Sequence, residues 1–371
     1  MIFERAPEWD ALLDSAERFV AERYPAESHR ARIETATPCD RQRWRDIVEL
    51  GWTATDLPQA RGGLGLRFSL LGAITAALGP GLIPEPWLTQ AAIAGPLLAA
   101  AQGAGKAARE RWLAGDLIVA LAHHESTQAA YYATPVATTW ARDGNDIVLN
   151  GTKTTVLDGA IADVVLISAR ALEPPHDVAL VLVPLATPNL VLRPYRTFDG
   201  RTIADLDLRA TRVRETSAWL EIPHAAALLD EALSRYALLV AAESVGIMRA
   251  TLRMTIDYLG EREQFGQKLA DFQVLQHRIV DLQLRLTRAE SLLEAAFTLV
   301  DAVGFAGATH AIAAARIGAE DHGIFIAESA VQLHGGIGMT NDYRLAHFFK
   351  RLTANRCVAG VRAEHALRCS V

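Results

Sequence analysis

The apolar positions of this chain change period twice. Over residues 1–117 they recur at helical spacing. Trp9, Leu12, Leu13, Ala16, Phe19 and Val20 mark one helix, and Trp44, Ile47, Val48 and Leu50 a second that closes on Gly51. The run 61–66 (RGGLGL) reads as loop, 69–78 as an Ala/Leu-rich helix ending at Gly79, Pro80 and Gly81, and 88–114 as helical again beyond Pro84 and Pro86. Near Asp116 the texture turns to short Val/Ile/Thr/Trp-rich runs at 136–140, 147–149, 164–167 and 178–183. Turn signals separate them at Asp143 to Asn145, Asn150 with Gly151, Glu173 to Pro175, and Asp199 with Gly200. From Asp230 a long helical period returns. Leu238, Ala242, Val245, Met248, Leu252, Ile256 and Leu259 form one seam, Phe272, Leu275, Ile279, Leu282, Leu286, Ala289 and Leu293 another, and Ile317, Ile324 and Val331 a third. The expected fold is α+β and multi-domain: an N-terminal helical domain (1–117), a middle β-barrel or sandwich (118–225), and a C-terminal four-helix bundle (226–371).

Composition narrows the class. A chain of 371 residues exceeds one ordinary core. Half of it is apolar and 22% charged, a globular balance, and a net charge of -6 predicts no nucleic-acid surface. Cys39, Cys357 and Cys369 form no CxxC or Cys/His pair, so neither a disulfide framework nor a zinc site is expected. The opening MIFERAPEWD lacks the apolar stretch of a secretory signal, and no run of 18 apolar residues occurs. A cytoplasmic protein without a membrane span is the expectation.

Two stretches carry candidate chemistry. Residues 333–349 (LHGGIGMTNDYRLAHFF) follow Gln332 and hold three glycines, Gly335, Gly336 and Gly338, in four positions. Such a turn lets backbone amides approach a phosphate, although a tight connection between helices has the same need. Residues 260–282 (GEREQFGQKLADFQVLQHRIVDL) hold Arg262, which suits phosphate through its permanent charge and fork of donors, or else pairs with Asp257 or Glu261 on the surface.

Taken in order, Leu50-Gly51-Trp52, Gly62 to Gly65, Gly151-Thr152-Lys153, Thr197 to Gly200, Arg262 to Gly266 and Gln332 to Gly336 resemble the acyl-CoA dehydrogenase family of flavoproteins over essentially the whole chain. The nearest likeness is to the small subunit of heteromeric enzymes of the pimeloyl-CoA and sterol side-chain type. The resemblance implies FAD as cofactor, an acyl-CoA thioester as substrate and α,β-desaturation as reaction. It also implies an electron-transferring flavoprotein as acceptor. It assigns Arg262 to phosphate charge, Phe265 to the adenine or ribose, and Gln264 and Gln273 to polar contacts. Gln332, Gly335 and Gly336 fall to the ADP half of a partner subunit's cofactor.

The chain departs from that family where the base should stand. The usual glutamate falls at Ala359, before Gly360, and Val361 replaces the threonine that touches flavin. No acid lies between Asp342 and Glu364, and alanine takes no proton. The flavin-facing loop reads His123, His124, Glu125, Ser126, Thr127, and the ring-flanking triplet is Thr155, Val156, Leu157. Two readings follow. In one, the chain is the non-basic subunit of an α2β2 enzyme whose partner carries the glutamate. In the other, it is self-sufficient with a base relocated to Glu243, which flanks the buried seam and also suits an arginine partner; the usual relocated position falls nearer Tyr236. A flavin oxidase or monooxygenase-like member and a non-catalytic scaffold complete the range.

Overall fold

The computed structural model describes residues 7–25, 39–125, 131–132 and 137–369, so Ser126, Thr127 and Val136 lie outside the described residues. The helices are α1 (Pro7–Arg23), α2 (Arg41–Glu49), α3 (Phe68–Leu78), α4 (Ala104–Leu113), α5 (Ala225–Glu261), α6 (Gln273–Gly307), α7 (Thr309–His334), α8 (Arg344–Asn355) and α9 (Arg362–Arg368). Residues 87–100 add a broken helix with a π turn over Gln90–Ala94, where Gly95 and Pro96 interrupt the α ladder. The strands are β1 (Val119–Ala122), β2 (Thr139–Asp143), β3 (Asp146–Leu157), β4 (Val164–Ala171), β5 (Val178–Pro184), β6 (Leu190–Arg196) and β7 (Thr202–Arg214). Among the described residues no helix is long and apolar enough to cross a membrane. The fold is an N-terminal helical domain, a middle sheet and a C-terminal helical bundle, and its contacts gather into two compact units.

One unit takes residues 1–36, 68–83 and 237–371. Its core is the bundle α5 to α8 with α3 against it. Glycine decides how closely α3 approaches α5. A Cβ on Gly246 would stand 1.9 Å from the Ala76 carbonyl oxygen, and one on Gly79 would stand 2.7 Å from that of Glu243. Phe68 closes the same region against Phe297 and Phe305, with ring centroids 5.5 and 4.9 Å apart. The expected α5 seam is buried from Leu238 to Leu252 and again at Leu259, but Ile256 stands out to solvent. The α7 seam also differs from the sevenfold pattern. Ile317, Ile324 and Val331 are only half-buried, and the packed face is made by Ile312, Ala315, Ala319, Gly323, Ala327 and Ala330. Small residues let α7 sit close to its neighbours, so apolar size is a poor guide to its inner face.

The other unit takes residues 37–67 and 84–236. Asp40 caps α2 by accepting from the Gln42 and Arg43 amides at 2.9 and 3.2 Å. The middle sheet runs β1-β4-β2-β3-β7-β6, with β5 beside β4. Both β1 and β2 pair parallel to β4, at successive stretches of one edge. Gln90, fully buried, spans from the π turn to β1: it donates to the Val119 carbonyl at 2.7 Å and accepts from the Val119 amide and the Trp112 indole, each at 3.1 Å. The sequence signal at Asn150 with Gly151 is not a turn. Both lie within the 12-residue β3 at a shift of register, where a Cβ on Gly151 would stand 2.5 Å from the Thr138 hydroxyl. The glycine there admits a close neighbour rather than reversing the chain.

Candidate functional site

In the helical unit α5 ends at Glu261 and Arg262 follows, its amide bonded to the Tyr258 carbonyl at 2.9 Å. A hairpin comes next, with Glu263 opposite Lys268 and Gln264 opposite Gln267. Its turn residues, Phe265 and Gly266, both have positive φ (56° and 80°), as a two-residue hairpin turn of type I′ requires. A phenylalanine is unusual in that region, and this one is 91% exposed, touching Phe272 edge-on at 6.3 Å. The Arg262 guanidinium is exposed and has no ion-pair partner among the described residues. Asp257, one candidate partner in the sequence, pairs with Arg253 at 3.0 Å. Gln264 bends onto the Glu263 carbonyl at 2.6 Å, and Gln273 opens α6 with its side chain exposed.

The glycine turn lies at the end of α7. Gly335 caps the helix with φ 67° and ψ -144°, which only glycine adopts without strain. A Cβ on Gly335 or Gly336 would meet nothing within 4 Å, whereas one on Gly338 would crowd His334 and the Val331 carbonyl at 3.1 Å. Gly338 is therefore a packing glycine, while Gly335 and Gly336 hold open space over bare backbone, with Gln332 exposed beside them. An exposed unpaired guanidinium, an outward phenyl ring and uncovered peptide groups suit a ligand bearing a pyrophosphate and a flat heteroaromatic ring.

Glu243 sits on α5 and is 4% exposed. Arg351 donates to its Oε1 at 2.8 Å, and Asn355 Nδ2 to its Oε2 at 2.8 Å. Both oxygens of the carboxylate thus serve as anchors for α8. Ala359 is 1% exposed at φ 62°, and Gly360 follows at φ 86°. The Ala359 carbonyl accepts from His365 Nε2 at 2.9 Å. Burial, then the nearby Arg316 cation, holds His365 down to about 4. Arg316, itself buried, donates to the carbonyls of Val358 (2.8 Å) and Asn355 and pairs with Glu320 at 3.2 Å. The segment is thus fixed through its backbone around a methyl group. Glu364, the next acid, accepts from the Val361 amide at 2.8 Å as a helix cap.

In the β unit, Lys153 is fully buried, which a lysine tolerates only when paired. Its ammonium reaches Glu125 Oε1 at 2.7 Å, the His123 carbonyl at 3.1 Å and the Ser168 hydroxyl at 3.2 Å. Burial outweighs the Glu125 attraction and lowers Lys153 to about 8. For Glu125 burial pushes upward, but the Lys153 charge and donors from Lys153, Thr138 and Ala137 together hold it at about 2. Burial, then the Lys153 charge, brings His123 down to about 4. Beside this bolt β3 bulges. Lys153 and Val156 both face inward, so Thr154 and Thr155 project together. Thr155 has φ 53°, rare for a β-branched residue, and its amide bonds to Asp205 at 3.0 Å. His124 Nδ1 lies 3.3 Å from the Thr154 hydroxyl. Tyr236, near which the family resemblance sets a relocated base, is buried, and neighbouring Arg235 pairs with Asp56 at 2.6 Å. The sequence pointed to Lys153 only as part of a motif; that it anchors Glu125 needed the fold.

Comparisons with known proteins match the three acyl-CoA dehydrogenase domain models in order: N-terminal over residues 6–115, middle over 120–210 and C-terminal over 226–367. The chain is 26% identical to the acyl-CoA dehydrogenase IpdE2 of Mycolicibacterium smegmatis over 97% of each chain. Its structure resembles a variant of the Tcur3481–Tcur3483 steroid ACAD (TM-score 0.85, 25% identity, 98% of this chain and 96% of that one). It also shares its fold with the ChsE4–ChsE5 complex of Mycobacterium tuberculosis (TM-score 0.85, 22% identity, 100% of this chain and 98% of that one).

Proposed function

Because the chain belongs to the acyl-CoA dehydrogenase family of FAD oxidoreductases, we propose that it is the base-less subunit of a heteromeric α2β2 enzyme that desaturates an acyl-CoA at Cα–Cβ. The observation that carries this is the pairing of two opposite states in one chain. Arg262, Phe265, Gly335 and Gly336 stand open to solvent, which supports the phosphate-side role read for them, while Ala359, the position read for the base, is a sealed methyl group.

In this reading Arg262 balances pyrophosphate charge, and the peptide groups of Gly335 and Gly336 meet the ADP half of the cofactor. Phe265 lays its ring on the adenine or ribose. Gln264, Gln273 and Gln332 add polar contacts around them. FAD supplies the acceptor for the β hydride when bound. The α proton goes to a carboxylate of the second subunit, since Glu243 is committed to Arg351 and Asn355. This chain's share is to bind and orient the cofactor, not to move the proton. The likeness to a steroid ACAD favours an acyl chain derived from a sterol, with an electron-transferring flavoprotein as oxidant in the cytoplasm. The boundaries that go with this reading are 1–117, 118–225 and 226–371.

The test is expression alone and together with a family member that carries the glutamate. The pair is expected to hold flavin and to bleach it on addition of an acyl-CoA, whereas the lone chain does not turn over. Desaturation by the lone, flavin-loaded chain would sink the proposal, and a pair that binds no flavin would sink the enzymatic reading altogether.

A further inference from the structure

We propose that Tyr258 is a positioning residue that fixes Arg262 relative to the Gly335–Gly336 turn, and so sets the span of the cofactor grip; the inference rests on the reading of that grip given above. Tyr258 lies one helical turn before Arg262 on α5, and its carbonyl accepts the Arg262 amide at 2.9 Å. Its ring leaves α5 and stacks on the imidazole of His334, with centroids 4.4 Å apart and planes 25° from parallel. Its hydroxyl donates to the His334 carbonyl at 3.2 Å. That carbonyl begins the peptide bond to Gly335, the cap of α7. One side chain therefore touches the residue before the glycine turn while its own backbone holds the start of the arginine loop.

His334 is built to receive it. It is 4% exposed, and a carbonyl can only accept, so its Nδ1 carries the proton that bonds Ala330 O at 2.8 Å. Tyr343 covers it on another side, with ring centroids 5.4 Å apart. The last carbonyls of a helix have no partner within the helix, and Tyr258 satisfies one of them at the point where Gly335 turns the chain. Arg262 itself is a long, exposed side chain with many rotamers, so its value to a phosphate ligand depends on where its backbone is held. Two long helices end at this point, and the Tyr258–His334 stack joins their ends.

The test is a double-substitution cycle on the full-length protein in its flavin-loaded assembly, stripped and reloaded with FAD while flavin fluorescence reports the dissociation constant. Tyr258→Phe keeps the ring stack and removes the hydroxyl. It is expected to weaken FAD about fivefold, the worth of one neutral hydrogen bond, with the apoprotein's melting temperature nearly unchanged. Arg262→Gln is expected to lose tenfold or more, on the order of a charge-assisted bond. The double variant should lose less than the product of the two single losses, because part of what Tyr258 does passes through Arg262. Tyr258→Leu, which removes the stack as well, should fall at or beyond the loss of Tyr258→Phe. Losses that multiply independently, or parental affinity in Tyr258→Phe, overturn the positioning role and leave the grip standing. Parental affinity in Arg262→Gln overturns the grip and the positioning role together.

Discussion

At Glu243 two donors occupy both carboxylate oxygens, and each comes from α8. These bonds tie the carboxylate to α8, and in the proposed reading the glutamate serves architecture rather than proton transfer. Truncating one member of a buried ion pair leaves the other charge unpaired, at a cost of roughly 3–5 kcal/mol. Glu243→Ala is therefore expected to lower unfolding free energy by about that amount, read from urea denaturation. Glu243→Gln should be destabilised less, with turnover per bound flavin close to the parent; abolished turnover in well-folded Glu243→Gln would return the base to this position. Glu125 makes a second residue-scale prediction. Its folded value of about 2 lies below the ordinary 4.5, so the folded state binds its proton less readily than the unfolded chain. The stability it contributes is complete above pH about 4.5 and is lost as pH falls toward about 2. Glu125→Gln should flatten the fall of stability in that window, which acid titration of the unfolding midpoint measures. The alternatives at Glu243 were legible in the sequence, because its flanking residues marked a buried edge. The identity of its partners was not, since Arg351 and Asn355 are over a hundred positions away.

The elements were readable where side-chain size carries the packing and unreadable where its absence does. Leu282, Leu286, Ala289 and Leu293 of α6 are buried as their spacing implied, while Phe272, Leu275 and Ile279 at the start of the same seam are only half-buried. On α7 the isoleucines and valine that suggested a seam sit at its margin, because alanine and glycine make the close face. The same principle turned Asn150 with Gly151 from an expected turn into a bulged strand against Thr138. Glycines of this kind can be told apart by what a Cβ would strike. Gly246 faces the Ala76 carbonyl oxygen at 1.9 Å, a backbone atom that cannot swing aside, and Gly246 lies in regular helix. Gly246→Ala must push α3 from α5, with an expected loss of about 1–3 kcal/mol or more. Gly336 has nothing within 4 Å of an added Cβ. Gly336→Ala should leave the melting temperature of the apoprotein within about a degree, because surface changes of this kind stay within roughly ±0.5 kcal/mol, yet weaken FAD by covering the peptide group. Calorimetry of the two variants beside FAD titration separates a glycine needed for packing from one needed for binding. A stable Gly246→Ala protein would show that the helices part more easily than this geometry allows.

For the whole molecule the decisive place is Ala359. Restoring a carboxylate there asks whether this chain lacks only a base or lacks an active site. The methyl group is buried, the backbone lies in the left-handed region, and the carbonyl is held by His365 within a segment that Arg316 also grips. A glutamate at this position would enter a packed region rather than an open pocket, and an uncompensated buried carboxylate is costly or else protonated. The triplet Thr155, Val156, Leu157, which the family resemblance sets beside the flavin ring, also holds no aromatic residue. Ala359→Glu is therefore expected to leave the lone chain unable to desaturate an acyl-CoA. In the proposed assembly it should leave turnover per flavin within about twofold of the parent, because that proposal assigns the reacting carboxylate to the second subunit. The measurement is acyl-CoA-dependent dye reduction normalised to bound flavin, with melting temperature followed in parallel. A gain of tenfold or more in either preparation would mean that this chain keeps a competent pocket of its own and lost only the proton acceptor. The proposed division of labour would then rest on one position rather than on the fold around Ala359.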